Sequence, residues 1–86
     1  MDSEKIKQYI ETGLSGATAY IEGEDGQHFT AIVISEQFSG KSRVEKQQLV
    51  YATLKNHIKD GTIHAISIKT LTPEEWRKQS MDDQHG

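Results

Sequence analysis

Apolar positions along this chain switch several times between a helical and an extended period, and the switches fall at glycines, serines or acidic clusters. Ile6, Tyr9, Ile10 and Leu14 recur at i, i+3, i+4 and i+8, the spacing of an amphipathic helix. Asp2 or Ser3 can cap its start, and Gly13 and Gly16 mark its end. Ala17 to Glu22 then alternate as a strand, and Gly23-Glu24-Asp25-Gly26 follows with an Asp-Gly pair suited to a tight reversal. His28 to Ser35 reads as a second strand, apolar on both faces towards its end as expected of a central strand. The two strands make a β-hairpin.

Glu36 to Lys41 reads as a loop carrying one exposed-looking aromatic, Phe38. Ser42-Arg43-Val44-Glu45 is a capping box: the hydroxyl takes the N3 amide and the carboxylate reaches back to the cap amide. The helix it opens places Val44, Gln47, Tyr51, Leu54 and Ile58 on one stripe, widened by Val50, and Gly61 suits the position after its end. A third strand, Ile63 to Lys69, is opened by His64, which shares a face with Ile66 and Ile68. Thr72-Pro73-Glu74-Glu75 repeats the capping logic with proline at the first helical position, and Trp76 can pin this last helix to the body. Residues 1–79 form one domain, and 80–86 read as a flexible polar tail.

The order is therefore α-β-β-α-β-α. A long helix between the second and third strands is a crossover, which allows those strands to be parallel with a right-handed connection. The expected fold is α/β (α+β): a three-stranded mixed sheet covered by helices, with an exposed edge that permits a homodimer.

Composition narrows the function classes. In 86 residues there is room for one core. The apolar fraction of 34% is low, but its grouping into periodic segments argues against disorder. There is no cysteine, so no disulfide framework supports the core and no thiolate is available for soft-metal chemistry. No run of about 18 apolar residues exists and the charged start does not read as a secretory signal, so no membrane association and a cytoplasmic location are expected. A net charge of −3 disfavours a general nucleic-acid binder. Between Lys41 and Lys59, however, five basic residues face one acidic residue, Glu45. Lys41, Arg43 and Lys46 there are candidates for phosphate contact in a DNA-binding regulator, or they are the solvated face of a helix.

The four histidines are His28, His57, His64 and His85. None pair at the spacings of a self-contained zinc site. His57 lies near a helix C-terminus, where an imidazolium interacts favourably with the helix dipole. His64 is either a core-edge imidazole or a metal ligand. If the second and third strands are parallel neighbours, His28 and His64 share one end of the sheet and supply half of a four-ligand site. No nucleophile elbow, P-loop or dinucleotide fingerprint occurs, so an enzyme is not expected.

Taken together, Phe38-x-Gly40-x-Ser42-Arg43, Gln47-Gln48-x-Val50-Tyr51-x-x-Leu54, Ile63-His64-Ala65 and Thr72-Pro73-x-x-Trp76 resemble the BolA family, over roughly Ile6 to Arg77. The Val44-Glu45-Lys46-Gln47-Gln48 run and the compact hairpin resemble its IbaG-like bacterial branch. The resemblance implies a fold similar to a class II KH domain. It also implies a monothiol glutaredoxin as partner and a [2Fe–2S] cluster shared with that partner and glutathione. The family-wide histidine ligand maps to His64. The second ligand comes from the loop between the first two strands, where His28 is the nearest imidazole. Arg43, Lys46, Lys69, Thr72 and Trp76 are the expected docking surface. The family is also linked to DNA binding, but Lys46-Gln47-Gln48 stands where other members carry an Arg-His-Arg type run.

Overall fold

The computed structural model describes residues 2–23 and 28–85. Three helices and three strands follow the expected order: α1 (Ser3–Gly13), β1 (Thr18–Glu22), β2 (His28–Ile34), α2 (Arg43–Lys59), β3 (Ala65–Leu71) and α3 (Pro73–His85). Asp2 caps α1 by accepting the Lys5 N–H at 2.9 Å. Both atoms of the Ser42–Glu45 capping box are in place on α2, and Gly61 takes the positive φ (82°) that ends it. The Asp25-Gly26 reversal lies outside the described residues.

The sheet order is β1-β2-β3, with β1 antiparallel and β3 parallel to β2. Registers run Tyr20↔Ile32 in the first pair, and His28↔Ala65 through Ile34↔Leu71 in the second. Pleating therefore puts Ala19, Phe29, Ala31, Val33, Ile66 and Ile68 on one face, beneath α1 and α2. Ile6, Ile10, Leu14, Val50, Leu54 and Ile63 close that core from above. The other face carries Tyr20, His28, Ile32, Ala65 and Lys69 and is covered in part by α3, whose Trp76 stacks on Tyr20 with ring centroids 5.4 Å apart.

Four expectations are corrected. Phe38 is fully buried rather than exposed, because the Glu36–Phe38 stretch coils into a 3₁₀ turn capped by Ser35 and folds the ring into the core. The α2 stripe is split. Val50 and Leu54 are buried, whereas Val44, Tyr51 and Ile58 are 65%, 39% and 37% exposed. The buried face passes instead through half-buried Thr53 and His57, which look towards α1, and Gln47, which looks towards β3. The third strand begins at Ala65, so His64 precedes it. At the chain's end, α3 is helical to His85, through the polar residues read as a tail.

Candidate functional site

His64 is held by its neighbours rather than by its own side chain. The Ile63 N–H donates to the His57 carbonyl at 3.0 Å, and the Ile63 side chain is buried in the core. On the other side, Ala65 enters the ladder opposite His28. The preceding turn is stiffened by the Asp60 carboxylate, which accepts the Thr62 N–H at 2.9 Å and is held below the usual carboxylate range mainly by its bonds to Thr62. His64 is thus an exposed imidazole on a backbone fixed from both sides. Around it Tyr51, Ile58, Ile63 and Ile66 line a depression of about 200 Å³. Tyr51 and Ile58 escaped notice in the sequence as surface residues, although the seven-residue spacing Val44, Tyr51, Ile58 marks a line that drifts off a buried face.

His28 is exposed at the same end of the sheet, at the first residue of β2. Its register partner is Ala65, so alternation puts His28 on the α3 side of the sheet, while His64 borders the α2 side. The two imidazoles share an end and flank the β3 start from opposite faces. Among the described residues no group of three or more His, Cys, Asp or Glu could hold a metal ion. His57 does other work: its ring stacks on Tyr9 at 4.4 Å and ties α2 to α1.

The expected docking residues separate into two sets. Arg43, Lys46 and Lys69 line one groove of about 450 Å³, with Gln47, Ile68 and Thr70. Lys41 lies apart in a different depression, beside Glu45. Thr72 and Trp76 are engaged within the fold. The Thr72 hydroxyl accepts the Glu75 N–H at 3.2 Å and the Glu75 carboxylate accepts the Thr72 N–H at 2.9 Å, while Trp76 packs on Tyr20. Those Thr72 bonds hold the Glu75 carboxyl below its usual range.

A family model described as BolA-like protein matches residues 5–75. The chain belongs to the BolA family. This BolA protein is 44% identical over 78 residues to the acid stress protein IbaG of Escherichia coli, covering 91% of this chain and 92% of that one. A BolA homologue from Coxiella burnetii superposes with a TM-score of 0.81 at 42% identity, over 90% of this chain and 97% of that one. The BolA domain of SufE1 from Arabidopsis thaliana gives 0.73 at 32% identity, over 87% and 98%. Among the described residues no helix is long and apolar enough to cross a membrane.

Proposed function

We propose that this BolA protein is a non-enzymatic partner of a monothiol glutaredoxin and supplies His64 as a ligand to a [2Fe–2S] cluster shared between the two proteins. One observation carries the reading: an exposed imidazole stands on a backbone anchored by buried Ile63 and by the β3 ladder, bordered by the apolar surface of Tyr51 and Ile58. A ligand fixed in this way loses little conformational freedom on coordination. Among the described residues the donors are an incomplete set, with two imidazoles at one sheet end, and the sequence has no cysteine, which fits a cluster completed by the partner's thiolate and by glutathione. Imidazole ligation in place of thiolate raises the reduction potential of such a cluster.

His28 is assigned the second position on this chain. Because it lies across the sheet from His64, its contribution is the smaller one. An imidazole binds metal only when neutral, so acid weakens His64 ligation. That behaviour accords with the similarity to a bacterial protein named for acid stress. Titrating the protein anaerobically into a glutaredoxin–glutathione cluster tests the reading. Wild type changes the visible absorption and circular dichroism, and His64→Ala does not. Identical spectra for the two would end the ligand assignment.

A further inference from the structure

The two edges of the sheet differ. On β1, both outward groups of Ala19 are taken by side chains of α1: its carbonyl accepts the Lys7 ammonium at 2.9 Å and its N–H donates to Glu11 at 3.0 Å. On β3, the Leu71 carbonyl points inward and accepts the Ser35 N–H, so Ile66, Ile68 and Thr70 turn their backbone groups outward. Of these, the Ile68 carbonyl accepts the Gln47 side-chain amide at 2.7 Å. Among the described residues no group outside the ladder bonds the outward groups of Ile66 or Thr70. An edge with outward amides and carbonyls is a template for one more strand.

The surroundings say which strand. Side chains of an added strand would point alternately to the two sheet faces. Arg43 and Lys46 stand on the α2 side, and Lys69 on the other. The Glu75 carboxylate, which the Lys46 charge helps to hold low, is already engaged by Thr72. A second copy of this chain fits badly. Antiparallel pairing of two β3 edges would bring the same three cations of each copy together, with like charges opposed. We infer that the β3 edge, flanked by Arg43, Lys46 and Lys69, is a docking site for an extended acidic segment of another protein, added as a fourth strand. Arg43, Lys46 and Lys69 belong to the surface expected to meet a glutaredoxin, but addition of a strand at this edge requires no metal at His64.

The test uses the full chain, ¹⁵N-labelled, titrated with a short synthetic peptide of alternating glutamate and valine. The expected result is amide shifts and slowed hydrogen exchange at Ile66, Ile68 and Thr70, with affinity lowered about tenfold or more by Arg43→Glu with Lys69→Glu. The same peptide N-methylated at alternate amides, which cannot pair with an edge, should not bind. Equal binding of the methylated peptide would reduce the surface to diffuse charge attraction and overturn the inference. So would equal binding of a lysine-for-glutamate peptide, stronger perturbation of these amides by single-stranded DNA than by the peptide, or a concentration-dependent shift of them with no peptide present.

Discussion

Lys7 and Glu11 form an ion pair of 2.8 Å one helical turn apart, and between them they occupy both outward backbone groups of Ala19. A single i,i+4 pair thus occupies the β1 edge at Ala19 while helping to dock α1 on the sheet. Hydrogen bonds from Lys7 and the Ala19 N–H hold the Glu11 carboxyl below its usual range, and the same carboxylate raises Lys7. A depressed carboxyl contributes stability that is present above its unfolded pKa and is lost as the pH falls through the lower folded value. Both side chains remain about one-third exposed, so screening keeps the contribution small.

Glu11→Gln is therefore expected to lower stability by about 0.5–1 kcal/mol at pH 7. The gap to wild type should close as the pH falls through the Glu11 range. Urea unfolding of both proteins across that window checks it, and a gap that widens in acid would contradict the pairing.

Gly13 is a point of close approach between α1 and α2. A Cβ placed there would lie 2.6 Å from the Thr53 Cγ2, and the Thr53 rotamer is pinned by its hydroxyl donating to the Val50 carbonyl at 2.7 Å. Gly13→Ala should cost about 1–3 kcal/mol as overpacking, against the usual gain from alanine in a helix. Adding Thr53→Ser, which removes the offending methyl, should recover most of the loss. Thermal unfolding of the single and double variants reads the coupling.

The stack of Tyr20 on Trp76 ties α3 to the open sheet face. Trp76 is the chain's single tryptophan, so its emission reports this contact without interference. Tyr20→Ala is expected to shift the emission to the red and to speed hydrogen exchange in α3, with a loss of about 1–2 kcal/mol confined to that helix. Uniform loss of protection across the sheet would show that α3 is no separate unit.

Local signals carried most of the fold. The two capping boxes, the Pro73 start and the Gly61 stop are short-range chemistry, and each is found at its expected place. What the chain's pattern left hidden was set by packing between distant segments. Phe38 looked exposed because its neighbours are polar, yet it fills the core once the 3₁₀ turn folds it inward. On α2, Val44, Tyr51 and Ile58 satisfy an apolar spacing as well as Val50 and Leu54 do, and only the position of α1 decides which row is covered. At the site, parallel pairing of β2 with β3 followed from the length of the crossover. The opposite faces of His28 and His64 required the register, which no local pattern fixes.

The buried Phe38 and the exposed Val44 give a direct contrast. Phe38→Ala should destabilise the domain by about 3–5 kcal/mol, whereas Val44→Ala should stay within about 0.5 kcal/mol. Chemical denaturation of the two variants measures the difference. A large cost for Val44 would mean that its exposed row is covered by another molecule.

The reading of the histidines predicts unequal effects. In the glutaredoxin mixture, His28→Ala should perturb the visible circular dichroism less than His64→Ala, and the Tyr9-stacked His57 should be silent when replaced by Gln. An equal effect of His57 would point to a general loss of fold rather than to ligation.

The most direct measurement is pulsed electron paramagnetic resonance on the reduced mixed complex, with only this chain's histidines labelled with ¹⁵N. With His64 as ligand, a ¹⁵N hyperfine coupling is expected in the wild-type complex that disappears in His64→Ala and survives in His57→Gln. A coupling that persists unchanged in His64→Ala, or none in the wild type, would contradict that assignment.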